Sequence, residues 1–436
     1  MSKPQQHMPN SNRGRSAARR FLWGGAVLVV AAAATFWWLV PKEASTSPAE
    51  FLAEAQLALS RQDYDRAKDL AEQVLAKRQQ SVAALTVLGK AAAGQTRFEE
   101  AVAYLDQIPD GSGAEGAAGL YLAGRILLED LRRASEAERR FRRAVTNDPD
   151  AMPAIRDLAH LLAVEGRRRQ AVPFVIQLFR HGEVDVDHVA LLGMPMGTIN
   201  DPDLLRECHV SDRTDPAILL GVAASPTFKL KPPEAKLLLE EAVRIAPGLL
   251  DAQARLGTIL LEEGDAAEFH RWHGSLPGTA DEHPEIWAVR GAWAQKRDEP
   301  RVAIRCYWET LRRDPDHRAA LYQLGRLLTA SGQQQDIGPL LARGQQLRDL
   351  QQMQDVLFHS EHTSLEPMRK VAYKLESMGR GVEAWGWCQI ALELNPAETW
   401  AKEGSRWWAR ADGRRPVTAD CRCRDAAGGC RVWHAG

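Results

Sequence analysis

Residues 287–315 read WAVRGAWAQKRDEPRVAIRCYWETLRRDP, and their spacing decides the fold. Trp287, Gly291, Ala303, Tyr307, Thr310, Leu311 and Pro315 mark two helix-length segments joined by a short polar turn. The same frame returns as Ala372, Ala384, Cys388, Ala391, Leu392 and Pro396. It returns again as Gly124, Ala137, Phe141, Ala144 and Pro149, with one residue inserted. The spacing has a physical reading. Small residues such as Gly291 and Ala303 let two helices touch closely, and a bulky residue such as Tyr307 fills the space between them. Proline cannot continue a helix and ends the second one.

The small residue of the first helix can be followed through Ala55, Gly89, Gly124, Ala159, Gly193, Gly221, Gly257, Gly291, Gly325 and Ala372. Successive spacings are 34, 35, 35, 34, 28, 36, 34, 34 and 47 residues. This pattern closely resembles the tetratricopeptide repeat, a 34-residue helix–turn–helix unit. The resemblance covers about 360 residues and implies an all-α, right-handed solenoid of about ten repeats over 49–411. Around Gly193 and Gly257 the units are degenerate, with Leu205/His209 and Phe269/His273 at the partner positions. The long last spacing accommodates an insertion near 345–366. Trp400, Gly404, Trp407 and Ala411 share one helical face, as a terminal capping helix requires.

Length alone, at roughly 150 residues per domain, would suggest three globular domains. The repeat replaces them with one elongated core. The 436 residues are 45% hydrophobic and 26% charged with a net charge of -1, which excludes a disordered chain and argues against a dedicated nucleic-acid binder. Six Cys in a chain this long exclude a disulfide-framework mini-protein. The small net charge conceals a polarity: residues 1–20 carry five cations and no acid. Phe21 to Val40 follow as an uncharged run long enough to span a bilayer, with Trp23 at one end and Trp37–Trp38 at the other. The positive-inside bias places residues 1–20 in the cytoplasm and the body outside the cytoplasmic (inner) membrane, on the periplasmic side. A cleaved signal peptide is the weaker reading, because the run is long and ends in bulky residues. Residues 41–48 read as a short tether.

Chemistry is sparse. Gly111, Gly113 and Gly116 match a dinucleotide-binding spacing, but that loop needs a preceding strand and here follows a helix. The Arg-rich run from Arg132 to Arg143 is interleaved with acids, which favours a solvated mixed face with i,i+4 pairs. Cys208, His209 and the acids around them lack ligand spacing, so helix caps and turns are the simpler reading. Cys306 and Cys388 fall at packing positions and read as buried thiols. The tail over 412–436 is rich in Arg and Gly and reads as disordered. Its Cys421, Cys423, Cys430 and His434 are the one zinc candidate, at an unfamiliar spacing. Neither catalysis nor a cofactor is expected.

In the family that the repeat resembles, the second, fifth and ninth positions of each first helix point into a concave groove. The resemblance therefore implies a partner-binding row that includes Lys90, Tyr121, Arg125, Arg156, His160, Tyr322, Arg326, Arg369 and Tyr373. Arg offers a planar fork to carboxylates and Tyr a rigid contact surface. Asp215, Asp251, Glu285 and Glu366 at second positions temper that basic character. The expectation is a membrane-anchored scaffold or adaptor gripping an acidic protein or peptide, similar to anchored repeat proteins of bacterial envelopes. The alternative is a non-catalytic subunit of an envelope enzyme or cofactor-assembly complex. Metal analysis of the purified protein separates a scaffold from a metal site: we expect no bound zinc, and one zinc per chain would restore the cysteine tail as a site.

Overall fold

The computed structural model describes residues 47–411, apart from 79, 194–198, 333–336 and 360–363. The basic leader, the apolar run over 21–40, all but the end of the tether and the cysteine tail lie outside the described residues. Among the described residues there is no strand, and no helix is long and apolar enough to cross a membrane.

Most helices pair with their sequence neighbour. The hairpins are α1 (Pro48–Ser60) with α2 (Tyr64–Lys77), α3 (Val82–Gly94) with α4 (Phe98–Leu105), α5 (Gly113–Arg125) with α6 (Ala134–Asn147), and α7 (Met152–Val164) with α8 (Arg168–Arg180). After α9 (Val186–Gly193) and α10 (Pro202–Ser211) the series resumes with α11 (Pro216–Ala224) and α12 (Pro232–Ile245). It continues as α13 (Leu250–Glu263) with α14 (Ala266–Ser275), α15 (Pro284–Lys296) with α16 (Pro300–Arg313), α17 (Arg318–Ala330) with α18 (Ile337–His359), and α19 (Leu365–Ser377) with α20 (Gly381–Leu394). The last helix, α21 (Thr399–Ala411), packs on α20. These helices stack as a tetratricopeptide-like solenoid.

Two local devices set the period. The turn inside each hairpin holds one residue in the left-handed region: Gln62, Thr96, Arg132, Gly166, Lys229, Gly264, Asp298, Gly332 and Gly379. A glycine adopts that conformation without strain, whereas Thr96 at φ 60° bears the full steric cost. Three of the turns between hairpins are made by an Asp or Asn before proline. Asp148, Asp314 and Asn395 each accept the backbone N–H two residues on, at 3.0, 3.1 and 3.0 Å. The side chain thus caps the turn while proline stops the helix.

Inside a hairpin the bulky residue lies against the glycine. A Cβ on Gly124 would lie 2.4 Å from the Phe141 ring, and one on Gly291 2.9 Å from Tyr307. The extra residue of the Gly124 unit is absorbed by a π-helical turn over Ile126–Asp130, so Phe141 still reaches its glycine. At Gly257 the filling residue is Trp272 rather than the Phe269/His273 frame, and His273 is exposed. α13 runs one residue further past its glycine than α15 does, which shortens the link by one residue. The 47-residue spacing is taken up by α18, which has 23 residues where α16 has 14. At the terminal helix, a Cβ on Gly404 would lie 2.7 Å from Cys388 Sγ, and Trp400 is buried.

The unit expected around Gly193 is not a hairpin. α10 pairs with α11, and α9 packs on α20. Gly193 faces Gln354 of α18, and Gly386 of α20 lies against Val189 and Phe179. Arg380 donates to the Leu192 carbonyl at 3.1 Å across 188 residues of sequence. The α10–α11 pair meanwhile leans on the third and fourth hairpins. Asp215 caps α11 and also accepts the Ser135 N–H at 3.1 Å, and Arg132 pairs with Glu207 at 2.9 Å.

The Arg-rich stretch of α6 differs from the solvated face its composition suggests. Arg133 pairs with Glu99, Arg140 with Asp106 and Arg143 with Asp110, each tying α6 to the preceding hairpin, while Arg142–Glu138 and Arg140–Glu136 are i,i+4 pairs as the sequence suggests. Tight helix contact gives two opposite expectations. Gly124→Ala should lower the urea midpoint, equivalent to about 1–3 kcal/mol of overpacking less about 1 kcal/mol of helix propensity. Gly325→Ala, whose Cβ would meet Leu341 at an ordinary 3.5 Å, should instead raise stability by about 0.5–1 kcal/mol.

Candidate functional site

The candidate row on the first helices is mostly solvent-facing but not mostly free. Arg125 forms a two-bonded pair with Glu129, its Nε donating to Oε1 at 2.8 Å. Beside it, burial and the neighbouring Asp157 push the Tyr121 phenol up. Arg156 donates to Glu183 at 3.0 Å, His160 lies 3.4 Å from Asp201, and Arg369 pairs with Glu366 at 2.6 Å. Four of the cationic candidates therefore already face a carboxylate of this chain. Lys90 and Arg326 are exposed and make no ion pair among the described residues. The Arg326 guanidinium lies 5.8 Å from the centre of the Tyr322 ring, and that ring is 57% exposed. Tyr373, 49% exposed, meets Trp400 edge-on.

The second-position acids are also engaged. Asp251 faces His283 Nε2 at 3.4 Å, and Glu285 faces His317 Nε2 at 3.0 Å. Each contact spans 32 residues and the second repeats the first 34 residues on, so the histidine that starts one first helix clasps the acid of the unit before it. His317 Nδ1 accepts the Ala320 N–H at 3.1 Å, which leaves the ring proton on Nε2, toward Glu285. Burial pulls the His317 value down, but the hydrogen bond and charge of Glu285 outweigh it and the net shift is upward. Glu285, despite burial, is held low by the same contact. Sequence reasoning saw these acids and missed their partners. The 34-residue periodicity of His283/His317 and Asp251/Glu285 is the signal that could have found them.

Other sequence candidates disperse. Asp201 and Asp215 cap helices, Asp203 pairs with Arg206, and Asp212 accepts Thr214. Burial pushes the Cys208 thiol up to about 12, and Cys306 and Cys388 are buried as well. No group of three or more metal-ligating side chains occurs among the described residues. Gly111 takes positive φ in the link before α5 and Gly113 at the first residue of α5, within helical surroundings. The zinc candidate Cys421, Cys423, Cys430 and His434 lies outside the described residues.

Closure of the chain on itself adds walls that an open groove lacks. A cavity of about 590 Å³ opens between α8, α9, α18 and α20, with Val172, Ile176, Leu347 and Leu350 on its apolar side and Arg168, Arg318 and Arg380 among its charges. A second, of about 330 Å³, lies between the start of α8 and the concave side of α13 and α15. Arg168, Val172 and Asp314 line both.

The tetratricopeptide repeat family matches residues 52–115 and 293–336, so the chain carries tetratricopeptide repeats. Similar solved structures include the Cut9–Hcn1 hetero-tetramer of the APC/C, 17% identical over 84% of this chain and 70% of that one, with a TM-score of 0.30. A tetratricopeptide repeat protein from Parabacteroides merdae is 12% identical over 65% of this chain and 98% of that one, with a TM-score of 0.26. YrrB, described as having an unusual peptide-binding site, is 12% identical over 46% of this chain and 97% of that one, also at 0.26. No curated protein matches the sequence.

The His317–Glu285 clasp makes stability depend on pH with a definite sign. The raised histidine contributes fully below about pH 6.5 and loses its contribution as pH rises through its folded value; the lowered glutamate contributes above about pH 4.5 and loses it below. Glu285→Gln should therefore cost most stability between about pH 5 and 6.5, with the gap to wild type narrowing at higher pH. NMR titration should show a lower His317 pKa in the variant.

Proposed function

We propose that this chain is a membrane-anchored scaffold or adaptor, held by residues 21–40 and binding a protein or peptide partner outside the cytoplasmic membrane. The observation that carries the binding role is the pair Tyr322 and Arg326. An aromatic ring and a guanidinium stand exposed on a first helix, with no ion pair among the described residues, and these residue types dominate binding energy at protein interfaces. Lys90, Tyr121, Arg125, Arg156, His160, Arg369 and Tyr373 complete the proposed contact row. Because Arg125, Arg156 and Arg369 are already paired, an acidic partner would exchange carboxylates there and find at Lys90 and Arg326 cations that make no ion pair among the described residues. The anchored, outward-facing arrangement rests on the charge asymmetry around the apolar run. A role as the non-catalytic subunit of an envelope enzyme or cofactor-assembly complex uses the same surface and differs in the partner's identity.

Crosslinking pull-down from native membranes tests the reading. We expect a discrete partner whose recovery falls at least tenfold when Arg125 and Arg326 are both changed to Glu. Unchanged recovery would overturn the contact row.

A further inference from the structure

Buried and half-buried guanidiniums among the described residues are, with three exceptions, tied to carboxylates. Arg167 bonds Glu138 and Glu165, Arg140 bonds Asp106, and Arg380 bonds Glu383. Of the exceptions, Arg318 lines the wider cavity, and Arg168 and Arg255 line opposite walls of the cavity between α8 and α13. Arg168 donates to the Leu191 and Leu192 carbonyls at 2.7 and 2.9 Å, which leaves Nη1 uncommitted. Arg255 makes neither a hydrogen bond nor an ion pair among the described residues. Burial pushes both below the ordinary arginine value, partly offset by Glu383 and Asp314 around Arg168 and by Asp251 and Glu285 around Arg255.

The acids on the cavity wall do not take these forks. Asp251 faces His283, Glu285 faces His317, and Asp314 accepts the Asp316 N–H. Arg313, also on the wall, is paired with Glu309. A desolvated guanidinium without a bonded counter-charge is costly, and an oxyanion with two acceptor oxygens is the group that relieves it. On the far side of Arg168 the wider cavity turns apolar at Ile176, Leu347 and Leu350.

We propose that Arg255 and Arg168 form an anion-binding site that takes a carboxylate flanked by an aliphatic group, presented by the partner, in the cavity between α8 and α13. This deepens the partner-binding reading and rests on it. The site is a walled pocket, so it takes a chain end or a single side chain rather than an extended strand. Arg255 occupies a place just off the groove row, which is why the row alone did not contain it.

Calorimetry on the full chain with three probes tests it: N-acetyl-Leu-Leu with a free carboxylate, the same dipeptide as its amide, and inorganic phosphate. We expect the free acid to bind, with at least tenfold weaker binding by the amide and by phosphate. Arg255→Gln should weaken the acid at least tenfold. Thr258→Glu, which leaves Arg255 in place and puts the chain's own carboxylate on the same cavity wall, should do the same and guards against a variant that merely misfolds. Phosphate binding as tightly as the acid would support the anion site and overturn the aliphatic-flanked carboxylate. No binding by any probe, or equal binding to wild type and both variants, would overturn the site. If that happens while Arg125→Glu/Arg326→Glu still abolishes partner recovery, the scaffold reading stands and only the pocket falls.

Discussion

The structure depends on helices approaching where one of them has no side chain. Gly124 under Phe141, Gly257 under Trp272 and Gly291 under Tyr307 bring two backbones within a ring's thickness, and an added methyl group at Gly124 or Gly257 would overlap the ring. Everything else serves that contact. The left-handed residue reverses the chain after a fixed length, the Asp-Pro or Asn-Pro turn resets it, and inter-unit ion pairs such as Arg140–Asp106 keep one hairpin in register with the next. Where the count of residues is wrong, the backbone gives way first: the π-turn at Ile126–Asp130 changes helical pitch so that Phe141 keeps its place.

That hierarchy explains what could be read from sequence. Gly and its filling residue repeat at a nearly fixed spacing, so the hairpins, the capping helix and the long insertion near 345–366 were legible. The region around Gly193 was not, because its glycine packs against Gln354 of a helix 161 residues away, and periodicity reports only local partners. The Arg-rich α6 was misread for a related reason: its acids i±3 and i±4 are visible in a window, whereas Glu99, Asp106 and Asp110 lie one repeat back. The groove row was legible as residue types, and its electrostatics were not, since Arg156 with Glu183 and His160 with Asp201 become neighbours only in space.

The concave surface is consequently less basic and more structured than its list of Arg and Tyr suggests. Carboxylates from the same chain face Arg125, Arg156, His160 and Arg369, and histidines hold the carboxylates of Asp251 and Glu285. The row's cations without an ion pair among the described residues are Lys90 and Arg326 on the open surface, the latter beside Tyr322, and Arg168 and Arg255 lie in the walled cavity. On the proposed contact row, recognition would rest on a few points, with the rest of the solenoid holding them at fixed separation.

The contact of α20 with α8 and α9 also changes how the molecule must come apart. A solenoid joined only by nearest neighbours frays from its ends, each unit leaving with little effect on distant ones. Here a cross-chain link at Leu192 and Arg380 turns the intervening 188 residues into a closed loop. The entropy of that closure rises only slowly with loop length, so a modest interface can sustain it. The C-terminal hairpins and the fourth hairpin then share one opening event, and thermodynamic cooperativity reaches across the molecule through a shortcut rather than along the row of repeats.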